Sequence, residues 1–167
     1  MNAKEAMTAE RLRELLIYDP DTGEFRWLVG RRGTVVAGGR AGCKHHKGYI
    51  KISVAGRQYL GHRLVWLYVN GTWPVDQIDH VNGIRDDNRI ANLREATGSE
   101  NNGNQRLARS DNKAGLLGVH WNKRHKKFMA QIMSEGKAMY LGYFPTAEEA
   151  HAAYIKAKRE LHPFCTI

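Results

Sequence analysis

Two hydrophobic periods alternate along the chain, and their succession marks out its elements before any chemistry is considered. Thr8 precedes a run in which Leu12, Leu15 and Leu16 recur at helical spacing, which predicts a short opening helix. Asp19-Pro20-Asp21-Thr22-Gly23 breaks that run with turn chemistry, and Phe25 to Val29 follows as a predicted strand. Residues 30–48, rich in Gly, Arg and Lys, read as a basic loop. From Tyr49 to Val54 the period becomes two: Ile50, Ile52 and Val54 face one way, and Tyr49, Lys51 and Ser53 the other. Ala55-Gly56 turns this strand into a second, Gln58 to Leu60, making a hairpin. His62 to Val69 then reads as a helix with Leu64, Val65, Leu67 and Tyr68 for packing, ended by Gly71 and Pro74.

After a polar stretch without periodicity at 106–115, a second patterned region begins. Gly118 to Trp121, Phe128 to Met133 and Ala138 to Phe144 are predicted as three short strands. Thr146 opens a helix with Glu149 three residues on, a capping-box pattern. Its stripe of Ala150, Ala153, Tyr154, Ala157 and Leu161 suits close approach to a sheet. The predicted class is α+β. The predicted division is a helix-and-hairpin region at 1–60, a core at 61–108, a linker at 109–115 and a small sheet-plus-helix module at 116–167.

Composition narrows the function. With 167 residues the chain holds one ordinary domain or two small ones. Its net charge of +9 calls for a polyanionic partner, nucleic acid above all. The charge is uneven: residues 1–105 carry 15 Lys/Arg against 12 Asp/Glu, and residues 106–167 carry 11 against 5. Cys43 and Cys165 stand far apart, which excludes a cysteine zinc site within the chain and gives no disulfide framework. No run reaches 18 apolar residues, and Met1 to Leu16 has no apolar signal core. The expectation is a cytosolic protein that is neither secreted nor membrane-bound, with no obligate protein partner.

One stretch concentrates reactive side chains. Ile78-Asp79-His80-Val81-Asn82-Gly83 is followed by Asp87-Asn88-Arg89-Ile90-Ala91-Asn92-Leu93-Arg94 and by Ser99-Glu100-Asn101-Asn102. Asp79 offers a charged oxygen and Asn101 a neutral one, a donor set for a single hard cation, Mg²⁺ or Mn²⁺. His80 has an intrinsic pKa near neutrality, which suits it to accept a proton from a water. Neighbours on a regular strand point to opposite faces, so Asp79 and His80 share a site only where a strand twists or ends. Asn82-Gly83 provides such an ending. Asn88 reads as a turn or cap residue, His62 as a packed histidine or a site residue, and Arg63 as a phosphate contact or a surface ion pair.

The spacing resembles that of the HNH nucleases, the ββα-metal fold, and more closely their homing-type branch common in phage genomes. His80 matches the first motif position, Asn92 lies 12 residues on, and Asn101 a further 9. The resemblance implies that Asn92 braces the loop between two strands and that Asn101, where many members have His, is a metal ligand, with Asn102 its rival. It further implies DNA hydrolysis to 5′-phosphate and 3′-hydroxyl ends.

The C-terminal region resembles another family. Gly118-Val119-His120-Trp121-Asn122-Lys123-Arg124, Phe128-Met129-Ala130-Gln131-Ile132 and Tyr140-Leu141-Gly142-Tyr143-Phe144-Pro145-Thr146-Ala147-Glu148-Glu149-Ala150 are similar to the Apetala-two DNA-binding domain of the plant ethylene-response factors. That family lays a three-stranded sheet in the major groove. Carried over, His120, Trp121, Lys123, Arg124, Lys127, Gln131 and Tyr140 become candidate contacts to double-stranded DNA, beside Arg63 in the first part. Met133 and Ala138 stand where the plant proteins tend to have arginines, so their base preference does not carry over. The expected function is an HNH endonuclease with a duplex-binding module. The alternative is a DNA-binding regulator whose nuclease site does not work.

Overall fold

Thr8 does what its position predicts: its side-chain oxygen accepts the Arg11 N–H at 3.2 Å and starts helix α1 (Ala9–Leu15), which buries Ala9, Leu12 and Leu15. In this computed structural model, which describes all residues except 1–6, 31–34, 109–110, 135 and 163–164, the chain divides into two units, Met1–Glu95 and Ala96–Ile167.

In the first unit α1 runs straight into strand β1 (Leu16–Asp19), which hydrophobic period did not announce. β1 pairs antiparallel with β2 (Glu24–Trp27), with Leu16 opposite Trp27 and Asp19 opposite Glu24. The Asp19 side chain closes the turn by accepting the N–H groups of Asp21 and Thr22. Three further strands, β3 (Cys43–Lys44), β4 (Ile50–Val54) and β5 (Arg57–Leu60), form a sheet in that order. The described part of the expected basic loop is therefore partly sheet. Ala41 N–H donates to Phe25 O at 2.7 Å, and Arg26 bridges to Arg40. Residues 31–34 of that loop lie outside the described residues.

The alternation read at Ile50, Ile52 and Val54 holds, since all three are buried. Helix α2 (Gly61–Asn70) lays Leu64, Val65 and Leu67 into the same core as Leu12 and Leu16. Emptying such a position, for instance Leu64→Ala, costs about 2–5 kcal/mol. Gly71, at φ 79°, ends α2 with its N–H on Leu67 O. A two-stranded ribbon of β6 (Gln77–His80) and β7 (Leu93–Ala96) follows, joined by a loop that closes with a 3₁₀ turn at Ile90–Asn92.

The second unit opens with α3 (Gly98–Gly103). Thr97 and Glu100 form a reciprocal capping box there, Thr97 N–H donating to the Glu100 carboxylate at 2.8 Å. Strands β8 (Val119–Asn122), β9 (Lys127–Ser134) and β10 (Lys137–Phe144) make an antiparallel sheet with β9 in the middle. Helix α4 (Ala147–Leu161), capped by Thr146, covers one face of it. Val119, Ala130 and Ile132 pack there with Ala150, Tyr154 and Ala157. The alanines bring helix and sheet close enough that a Cβ added at Gly118, already at φ +75°, would stand 2.0 Å from the Tyr154 ring.

Lys158 joins the buried face of α4. It is only 1% exposed, and its ammonium donates to Gln105 O. An unpaired buried ammonium would cost several kcal/mol, so that carbonyl makes the position tenable. Gln105, His162 beside Gly103, and Thr166 donating to Asn104 Oδ1 at 2.9 Å tie the end of α3 to the end of α4. Of the expected linker 109–115, residues 109–110 lie outside the described residues. Further on, Asn112 Oδ1 accepts Ala114 N–H and its Nδ2 donates to Leu116 O.

Candidate active site and DNA-binding face

β6 ends where its sequence says it must. Gln77 is exposed, but Ile78, Asp79 and His80 are buried in succession, so the strand stops alternating at its last residues. Asp79 and His80 then meet different partners. Asp79 Oδ2 accepts from Arg94 Nε at 3.0 Å and Nη2 at 2.8 Å across the ribbon. His80 turns toward the loop, its Nε2 lying 3.1 Å from Asn88 Oδ1. Its ring lies edge-on to His62 at 5.1 Å and 6.0 Å from Tyr49, over which the Arg85 guanidinium sits at 5.2 Å.

Burial pushes the His80 pKa down, opposed by the hydrogen bond to Asn88 and the carboxylates of Asp79, Asp87 and Asp86. His62 is driven further, to about 3, by burial and then by the charges of His80 and Arg63. It is therefore a neutral wall of the site at ordinary pH.

The loop that carries Asn88 is held from within. Asn92 Oδ1 accepts the Asn82 N–H at 2.9 Å, and its Nδ2 donates to Asp87 O at 2.8 Å. Asp87 accepts from Arg89 Nε and Nη2 at 2.8 and 2.6 Å and from Asn82 Nδ2 at 2.6 Å; Arg89 above all lowers its pKa to about 2. The Tyr18 hydroxyl donates to Asn88 O at 3.0 Å and accepts the Ile90 N–H at 2.9 Å, pinning the loop to β1. Gly23 lets the loop lie down: a Cβ there would meet Arg89 N at 2.5 Å. Asn88, read from sequence as a turn residue, is instead 3% exposed and bonded to His80. Of the other residues of the site, Asn88 carries only a loop signal, and Tyr49 and Tyr18, the latter 70 positions from Asn88, carry none.

Arg63 resolves into a third role. Its guanidinium donates to Asp76 O and Pro74 O at 3.3 and 3.4 Å and lies 5.9 Å from the Trp73 ring, bracing the segment before β6. Asn101 is half-buried and Asn102 exposed on α3, an element of the second unit. Among the described residues, no group of three His, Cys, Asp or Glu side chains is placed to hold a metal ion. The donor chemistry of Asp79 with carboxamides fits a hard, oxygen-seeking divalent ion, and gives nothing for a soft one.

In the second unit, strand register sorts the candidate contacts onto two faces. His120 stands opposite Met129, which pairs on its other side with Tyr143; Gln131 stands opposite Tyr140, and Asn122 opposite Lys127. These share the face away from α4. Lys123 and Arg124 are exposed in the turn between β8 and β9. Trp121 belongs to the other face: it is in register with Phe128 and 47% exposed, with ring centroids 4.9 Å apart. Asn122 takes its place on the open face, where its Nδ2 donates to the Tyr143 hydroxyl at 3.2 Å. His125 lies 4.4 Å from the Tyr143 ring, and Tyr140 lies 5.3 Å from it.

The comparisons with known proteins fall on these two regions. The model of the HNH endonuclease family matches residues 59–103, and that of the AP2 domain matches residues 115–162. Protein 3.8 of Escherichia phage T7 is 32% identical over 102 residues, an alignment that covers 60% of this chain and 83% of that protein. No solved structure matches the chain significantly. Among the described residues, no helix is long and apolar enough to cross a membrane.

Proposed function

The chain belongs to the HNH endonuclease family and carries an AP2 domain behind its nuclease motif, and we propose on that basis that it is a metal-dependent DNA endonuclease of the homing type. The observation that carries the reading is the buried His80, held by Asn88 at the end of a strand whose previous residue is the buried carboxylate Asp79. With Asn88 Oδ1 accepting a hydrogen bond from Nε2–H, His80 presents Nδ1 as its basic nitrogen, suited to accept a proton from the attacking water. Asp79 and Asn101 are the residues that would hold Mg²⁺ or Mn²⁺. When bound, such an ion supplies positive charge at the scissile phosphate and beside the departing 3′ oxygen. Asn92 keeps the loop shape that delivers Asn88, and Tyr49 and His62 enclose the His80 ring. The products are 5′-phosphate and 3′-hydroxyl ends.

The AP2 domain holds duplex DNA through Lys123, Arg124 and Lys127 on phosphates, with His120, Gln131 and Tyr140 on the face that meets the groove. Residues 106–167 carry 11 basic against 5 acidic side chains, which agrees with that division of labour.

One observation favours a second reading, a DNA-binding regulator without nuclease activity: Asp79 is already paired with Arg94. Incubation with supercoiled plasmid, with and without Mg²⁺, separates the two. The nuclease produces nicked circles before linear DNA, only with the ion present. A protein that binds the plasmid and leaves it supercoiled under both conditions is the regulator.

A further inference from the structure

The open face of the AP2 sheet carries Met, Ala, Tyr, Gln and His side chains at its centre and gathers its lysines and arginine at its rim. Its central rows are Met133 opposite Ala138, Gln131 opposite Tyr140, and Met129 between His120 and Tyr143. Met133 is 54% exposed and Tyr140 58%, although nothing in the fold requires large apolar groups to face water there. Lys123, Arg124 and Lys127 gather at one end of the sheet, and Lys137 stands at the other. Among the described residues, no lysine or arginine stands in those three rows.

That distribution matches a duplex groove in charge, since cations at the rim meet the two phosphate walls. It also constrains what the centre can read. In the major groove a G·C pair presents guanine O6 and N7, which are read by the paired donors of Arg or Lys. This face offers neither at its centre. The one apolar group in the major groove is the thymine C5 methyl, which a Met, Ala or Tyr surface covers without leaving a polar group unpaired. A glutamine amide carries a donor and an acceptor side by side, the complement of adenine N7 and N6.

We propose that this face is selective for A·T base pairs read in the major groove, with Met133, Ala138 and Tyr140 against thymine methyls and Gln131 on adenine. The inference rests on the reading of the AP2 sheet as the duplex-binding element, and it names the base pairs which that element prefers.

The test uses the full chain in EDTA, so that binding is measured without cleavage. Sites are first selected from a random-sequence duplex pool, and affinity for a selected duplex is then measured by fluorescence anisotropy. Selected sites should be A·T-rich at the specified positions. Replacing thymine by uracil, which removes only the methyl, should weaken binding about fivefold or more. Replacing A·T by inosine·cytosine pairs keeps the minor-groove groups of A·T and changes the major groove, so it should weaken binding as well. Met133→Arg combined with Ala138→Arg, both at exposed positions, should move the selected sites toward G·C while the melting temperature holds.

Selection of G·C sites by the unaltered chain overturns the proposal. So does equal affinity for thymine and uracil duplexes, undiminished binding to inosine·cytosine, or an A·T preference that survives both arginines. These results leave duplex binding itself standing. If replacing Lys123, Arg124 and Lys127 by alanine changes neither affinity nor its salt dependence, the sheet is not the duplex-binding element, and both readings fall.

Discussion

Asn88 fixes the tautomer of His80. Its Oδ1 lies 3.1 Å from Nε2, and a carboxamide oxygen only accepts, so the proton stays on Nε2 and the basic lone pair on Nδ1. Asn88→Ala should cut plasmid nicking by about tenfold to a hundredfold, the scale seen when an orienting partner of a functional imidazole is lost. Asn88→Asp should keep the tautomer and raise the His80 pKa, moving the acid limb of the pH–rate profile to higher pH. An Asn88→Asp profile that coincides with the unaltered one would refute this role.

His80→Ala should reduce cleavage by about a hundredfold or more while leaving DNA affinity in EDTA nearly unchanged, because a general base acts on the rate and not on ground-state binding. Asp79→Ala should abolish cleavage, and Asn101→Ala should do so less completely, since it removes a neutral ligand. Chelator should stop the unaltered protein. Cleavage that persists in excess EDTA would end the metal reading.

Asp87 links loop stability to pH. Arg89 lowers its pKa from 3.8 to about 2, so its contribution is fully present above the unfolded value and is lost as pH falls from about 4 toward 2. Asp87→Asn should lower the melting temperature at pH 7, and the gap to the unaltered protein should close as pH approaches 2. Melting curves from pH 2 to pH 7 decide it; a gap of constant size would mean the carboxylate charge contributes nothing.

The rim cations should appear in the salt dependence of binding. Removing Lys123, Arg124 and Lys127 together should flatten the slope of log affinity against log salt by about 0.9 for each phosphate left without its cation, up to nearly 3. Anisotropy titrations in EDTA from 50 to 300 mM salt measure it. The substitution is a sharper probe than deleting residues 110–167, because Gln105 and Asn104 are held by Lys158 and Thr166 and would go without that support.

Much of this architecture is written in local patterns. Thr8 and Thr146 announce their helices because a cap and an apolar stripe act within a few residues, and Ile50, Ile52 and Val54 announce a strand for the same reason. β1 escapes the pattern because its four residues follow the helix without a break. The pairing near Ala41 escapes because main-chain groups make it, and these leave no mark on side-chain choice. Lys158 has no local signal for burial on its helix, and its partners there are the carbonyl of Gln105, 53 positions away in sequence, and the Tyr154 ring. At the candidate site, the identities of Asp79 and His80 are visible from composition and spacing. The contribution of Asn88 is not, since any asparagine in a loop has a local explanation until its partner is known. Trp121 shows a finer limit: a shift of one residue carries a strand side chain to the opposite face, and only the register with Phe128 settles which face it takes.

The Asp79–Arg94 pair has a consequence for how the protein matures. A buried carboxylate that had to wait for a cation from solution would make the surrounding ribbon dependent on that cation for assembly. Arg94, 15 residues along the same chain, already balances the charge. On the proposed metal mechanism, the ribbon can therefore be built first and armed later. A newly made chain would be complete in shape while still chemically idle, and the ion acquired afterwards would decide when it becomes dangerous to DNA.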